Sequence, residues 1–290
     1  MQDGLVLLDK PAGRTSFEAL RPVKRGLASG KVGHAGTLDR FATGLLILLT
    51  GKLTRLIRVF SGLEKHYVAR VRFGVETETL DPEGEVTRRG DVPNEDSLRS
   101  VLAAFTGDIV QVPPAYSAVH VNGARAYRLA RDGETPDIKP RTVTVHSIDL
   151  RSMEGPEAVL DIRCGSGTYV RSLARDIAYE LGTVAHLTEL RRTAIGDFGV
   201  DEAGRPDDFV ATRDVIPADR FVPRLPAVRS AALLPESVAR VAHGAPLSER
   251  DMSGSTSEDG FLVLFTPEGG LAGAAEKKGE RYTYLFVSVS

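Results

Sequence analysis

Gly33-His34-Ala35-Gly36-Thr37-Leu38-Asp39-Arg40-Phe41-Ala42-Thr43-Gly44-Leu45 is the stretch on which the reading of this chain turns. Three glycines, Gly33, Gly36 and Gly44, let the backbone turn sharply and approach a ligand closely. Asp39 stands between them, followed by an apolar run. By itself such an aspartate reads first as an N-cap for the next element and only second as a functional carboxylate. The apolar run predicts a helix near Ala42–Leu46 leading into a strand over Leu45–Thr50, two readings that compete for the same residues. The loop is not a P-loop, because no Gly-Lys-Ser/Thr ending is present. Nor is it a dinucleotide fingerprint, since no Gly-x-Gly-x-x-Gly opens a helix.

Outward from the loop the pattern alternates strands and helices. Gly4–Leu8 reads as a short strand stopped by Asp9-Lys10-Pro11-Ala12-Gly13, and Thr15-Ser16 caps a helix over Phe17–Leu27 with Glu18 in its first turn. Leu53–Phe60 reads as a short helix. Lys65–Phe73 alternates as a strand, with Tyr67, Ala69, Val71 and Phe73 on one side. Asn94 caps a helix to Phe105. Gln111–Asp137 is polar and punctuated by Pro and Gly, with a helix near Ala124–Asp132. Thr142–Arg151 and Ala158–Cys164 read as a hairpin around Glu154-Gly155-Pro156, and Thr168–Leu181 as a helix ended by Gly182. Residues 201–225 read as a connector. Residues 226–290 show one helix, Glu236–Ala242, and two strands, Phe261–Phe265 and Arg281–Val287, the texture of a small β-rich unit.

Composition narrows the function classes. The 290 residues are 42% hydrophobic and 26% charged, as in soluble globular domains, and suffice for one large or two unequal domains. A single cysteine, Cys164, excludes an internal disulfide and a multi-cysteine zinc site. The longest apolar run, Leu45–Leu49, is far below the roughly 20 residues of a membrane-spanning helix. The start lacks the basic region of a signal peptide, so a cytoplasmic location is expected. The net charge of -2 hides an asymmetry: residues 1–60 hold 10 Lys and Arg against 4 Asp and Glu, and residues 201–290 hold 10 against 14. Such a local basic face is what phosphate binding requires.

Five segments in order carry a resemblance. They are Asp9-Lys10-Pro11-x-Gly13-x-Thr15-Ser16, the Asp39 loop, Lys65-x-Tyr67 through Gly84, Tyr116-Ser117-Ala118 through Arg131, and Gly167-Thr168-Tyr169-x-Arg171 with Leu190-Arg191-Arg192. Over about residues 4–199 the chain resembles the TruB-type tRNA pseudouridine synthases. It departs from that pattern at Arg40, usually proline, and at His120, usually lysine.

The resemblance implies an α+β pseudouridine synthase fold, with a mixed, mainly antiparallel central sheet and a cleft across its middle. It implies a catalytic domain over 1–222, with 111–140 an insertion that clamps RNA, and a PUA-like RNA-binding appendage over 226–290. The implied reaction converts a uridine of the tRNA T-loop, conventionally position 55, into pseudouridine. The N1–C1′ bond breaks, the base rotates, and C5 joins C1′. No cofactor and no metal are called for. Asp39 is implied as the essential carboxylate, attacking C1′ or C6 or removing the C2′ proton. Arg171 is implied as its partner, and an adjacent guanidinium is expected to reverse the pKa rise that burial causes. Tyr67 is implied to stack on the target base and assist proton removal, with Tyr169 and Leu190 packing around it. His34 is implied to insert into the T-loop as the base is flipped. Lys10, Arg14 and Lys31, with Lys24, Arg25, Arg55 and Arg58, are expected at phosphates, and Arg131 on the RNA-binding insertion. The implied partner is the T-arm of tRNA, with no membrane and no obligate protein partner, the protein acting as a monomer. The competing reading is a module that binds or folds tRNA without chemistry, and an enzyme can also assist folding.

Overall fold

The structure is a computed structural model that describes residues 3–27, 30–117, 119–121, 123–253 and 258–288; Ala118 of the quoted motif lies outside the described residues. Among the described residues a nine-stranded sheet forms the body of the molecule. Its main path runs Leu5–Lys10, Thr43–Thr50, Ala185–Ile195, Lys65–Phe73, Glu157–Cys164, Arg141–Glu154, Gly107–Gln111. Two short strands, Val32–His34 and Phe198–Gly199, attach beside it. Neighbours pair antiparallel except where Arg191 and Arg192 run parallel to Thr43 and Gly44. The expected mixed, mainly antiparallel sheet is therefore present.

The centre of this sheet follows from alternation. In Lys65–Phe73, Tyr67, Ala69, Val71 and Phe73 are buried while Arg72 is exposed. They pack beneath the helix Val170–Glu180 through Val170, Leu173, Ala174 and Ile177. That packing carries the first turn of the helix, and hence Arg171, over the middle of the sheet. A second cluster joins Leu5, Ile47, Phe60, Phe198 and Phe221 to Val263, Ala274 and Phe286. The last three belong to a five-stranded sheet built from residues 228–287.

Three expectations are corrected here. No helix forms near Ala42–Leu46: the chain is extended from Thr43 to Thr50, because a run buried on both faces lacks the polar stripe of a surface helix. Residues 201–225 are not a bare connector. Ile216 exchanges backbone hydrogen bonds with Leu5 at 2.9 and 2.8 Å, and Gly204 accepts from Asp9 at 2.9 Å, so this segment covers an otherwise open sheet edge. The C-terminal sheet has more strands than the two expected, adding Val228–Leu233, Met252–Ser253 and Leu271–Lys278.

Candidate active site

Asp39 lies in the loop between strands Val32–His34 and Thr43–Thr50. The element that follows it is a strand, so it caps no helix. The loop is pinned from both sides. Leu38 donates its N–H to Ser16 Oγ at 2.9 Å, and Arg40 O accepts from Gly13 N at 2.9 Å and from Lys10 Nζ at 3.2 Å. Thr15 and Glu18 form a reciprocal capping box that fixes the helix start beside it. On the other side the fully buried Arg192 donates to Leu45 O at 2.7 Å, Gly36 O at 3.1 Å and Thr37 O at 3.5 Å. Gly44, at φ +104°, lies against the Arg192 backbone so closely that a Cβ would sit 2.2 Å from its carbonyl oxygen. Only glycine fits there.

Arg171 is 3% exposed, so it is not a surface arginine of the helix. Its Nη2 donates to Asp39 Oδ1 at 2.9 Å and Tyr116 O at 3.0 Å; its Nη1 donates to Thr79 O at 2.8 Å and Asp81 Oδ2 at 3.2 Å. Asp81, equally buried, was not read from the sequence as a site residue. It changes the electrostatics. Burial pushes the Asp39 carboxyl above the ordinary aspartate range; Arg171 and Lys10 pull it down, but Asp81 adds to the rise. The expectation that one guanidinium reverses the effect of burial is thus corrected: Arg171 offsets it in part, because it serves two carboxylates.

Around this pair lies a cleft of about 550 Å³. Of the expected residues, Asp39, Arg171, Tyr67, Tyr169 and Leu190 line it together, and His34, Lys10, Arg14, Lys31 and Arg131 do not. Burial holds the Tyr67 phenol above its usual range, so it is neutral near pH 7 and no phenolate base. Tyr169 is positioned by Gln111, a fully buried side chain that accepts from Tyr169 N at 2.8 Å and donates to Tyr169 O at 3.2 Å. Arg141 lies over its ring at 4.9 Å. Tyr116, Ser117, Tyr127, Lys65 and Arg192 also line it and were given no role by the sequence reading.

The basic residues divide. Lys10 is fully buried, and its ammonium donates to the carbonyls of Pro11, Arg14 and Arg40, so it braces the loop and cannot meet a phosphate. Burial pulls its pKa down to about 8. Arg55 donates to Leu285 O, and Arg58 pairs with Glu276 at 2.7 Å and stacks over Phe261 at 4.4 Å. These two join the sheets and are withdrawn from the phosphate set. Arg14 pairs with Asp207 at 2.9 Å, Lys31 is exposed, and Arg131 lies 5.7 Å from the Tyr127 ring. His34 is half-buried; burial and Arg192 lower its pKa, and its Nδ1 has no hydrogen-bond partner among the described residues. Burial pushes the Cys164 thiol up to about 11, which leaves it inert. Among the described residues no group of His, Cys, Asp and Glu has the form of a metal site, and no helix is long and apolar enough to cross a membrane.

Two family models together cover residues 24–215 of the chain. The family model for the N-terminal domain of the TruB family pseudouridylate synthases matches residues 24–170, and that for the tRNA pseudouridylate synthase B C-terminal domain matches residues 171–215. The chain is 42% identical to tRNA pseudouridine synthase B of Thermobifida fusca over 289 residues, covering 96% of each protein. It is 43% identical to that of Aquifex aeolicus over 235 residues, 78% of this chain and 82% of the other. Among solved structures, one of a Cbf5-Nop10-Gar1 complex superposes with a TM-score of 0.72 at 27% identity, over 99% of this chain and 86% of that one.

Proposed function

Since the chain belongs to the TruB family of pseudouridylate synthases, we propose that it isomerises uridine to pseudouridine in the T-loop of tRNA, at position 55, with Asp39 as the essential carboxylate. The observation that carries this reading is the 2.9 Å pair between Asp39 and the buried Arg171 at the wall of the cleft. A module that only bound RNA would gain nothing from a carboxylate held at the cleft wall to face an anionic ligand.

Each residue of the cleft takes a separate part. Asp39 is ionised during turnover, and Arg171 favours that form through its bond to Oδ1. The N1–C1′ bond breaks, the uracil turns within the cleft, C5 bonds to C1′, and the C5 proton is lost while N1 gains one. The neutral ring of Tyr67 offers a stacking face to the base, with Tyr169 and Leu190 as the opposing walls. The target nucleotide must leave its stack to enter the cleft, at a cost of a few kcal/mol. His34, neutral and without a partner for Nδ1 among the described residues, fills the place the base vacates. Residues 1–222 form the catalytic part, 111–140 clamp the T-arm with Arg131 outward, and 226–290 add a second RNA contact. Arg14 and Lys31 face phosphates. The protein works as a cytoplasmic monomer.

The test is release of tritium from a T-arm stem-loop carrying 5-tritiated uridine. Wild-type protein should release it, and Asp39→Asn should release none while binding the RNA nearly as tightly. Normal turnover by Asp39→Asn would refute the assignment.

A further inference from the structure

Buried polar atoms without partners are uncommon in folded proteins, and each calls for an explanation. Among the described residues, three such atoms belong to side chains lining the Asp39 cleft: Arg171 Nε, Arg141 Nε and Ser117 Oγ. The two arginines have their other nitrogens engaged, Arg171 with four acceptors and Arg141 with Gly167 O. Ser117 is different. It has one polar side-chain atom, that atom is unsatisfied, and the residue is 5% exposed.

The surrounding backbone fixes where the side chain stands. Ser117 N donates to Ala115 O at 3.0 Å, and Ser117 O accepts from Tyr127 N at 3.1 Å. The preceding carbonyl, of Tyr116, accepts from Arg171 Nη2 at 3.0 Å, and the Tyr116 hydroxyl donates to Glu78 at 2.6 Å. The hydroxyl of Ser117 therefore sits one residue from the guanidinium that holds Asp39, on a segment held at both ends. Such a group is desolvated in advance and has a bond to give.

We propose that Ser117 Oγ hydrogen-bonds the polar edge of the uracil in the cleft, as a specificity-determining contact that the insertion contributes to the active site. The proposal rests on the uridine reading above. A hydroxyl suits the task because it both donates and accepts. When the base turns end over end about its N3–C6 axis, the C2 and C4 carbonyls exchange places. Both carbonyls are acceptors, so one O–H donor can serve the uracil edge before and after the turn.

The experiment is a thermodynamic cycle in the Asp39→Asn background, where binding is read without turnover. Affinity is measured for the T-arm stem-loop with uridine at the target position, and for the same RNA lacking the base there. Ser117→Ala should weaken binding to the uridine RNA by about five- to tenfold, the size of one neutral hydrogen bond. It should leave binding to the abasic RNA unchanged, and Ser117→Thr, which keeps the hydroxyl, should recover part of the loss. An equal loss on both RNAs, or no loss on either, overturns the proposal. Tritium release by the wild-type protein from the uridine stem-loop separates the two readings. If release occurs and the cycle fails, only the role of Ser117 falls; if no release occurs, the uridine reading falls with it.

Discussion

Arg171→Lys keeps the charge and removes the fork. In the native site one planar guanidinium serves four acceptors on two nitrogens, at 2.8 to 3.2 Å. An ammonium has three N–H groups on one atom and cannot reach acceptors arranged around both arms. At least two charge-assisted bonds are lost, each contributing about 1.5–3 kcal/mol. If the bond to Asp39 is one of them and acts in the transition state, kcat falls about 10- to 150-fold. The other loss falls on stability and lowers Tm by about 3–12 °C, at roughly 2–4 °C per kcal/mol. The pH profile carries the decisive sign. Arg171 lowers the pKa of Asp39, so weakening it lets burial and Asp81 raise that pKa further. Since the proposed reaction requires the ionised form, the acid limb of kcat/KM should move to higher pH, and the variant should lose more activity at pH 6 than at pH 8. Tritium release across pH, with a thermal melt, measures both. A variant within threefold of wild type, or one whose loss is the same at every pH, would refute the argument that Arg171 acts through the charge of Asp39.

Asp81→Asn tests the same electrostatics with the opposite sign: it removes the like charge that raises Asp39, so the acid limb should move to lower pH, with about 1–3 kcal/mol of stability lost in chemical unfolding. Arg58→Ala should lower the thermal midpoint slightly, through loss of its half-exposed pair with Glu276 and its stacking on Phe261. It should leave the salt dependence of tRNA affinity unchanged, whereas removal of a true phosphate contact lowers that slope by about 0.7–0.9.

How much was legible depended on whether a residue's partners were near in sequence. Lys65–Phe73 was readable because one face is buried and the other is not. Its neighbour Ala185–Ile195 was not, because irregularities between Leu187 and Glu189 and between Arg192 and Ala194 break the period, and a buried Arg192 reads as a surface residue. Leu271–Lys278 escaped because its buried positions are largely alanine and glycine, which carry no strand signature. Asp39 and Arg171 lie 132 residues apart, and no spacing rule joins them; family resemblance did. That resemblance was silent on Asp81, on the Gln111 clasp of Tyr169 and on the burial of Lys10. Those are consequences of packing in three dimensions, where a lysine surrounded by carbonyls and one facing water have the same letter.

The apolar cluster that unites Phe60, Phe198 and Phe221 with Val263, Ala274 and Phe286 has a mechanical consequence. A shared core couples the two sheets, so under the proposed function an RNA arm leaning on the C-terminal face would press on elements packed directly against the catalytic part. Shortening the chain ahead of residue 228 would therefore do more than remove a handhold: it would strip the cover from three aromatic rings and leave the remaining portion prone to self-association.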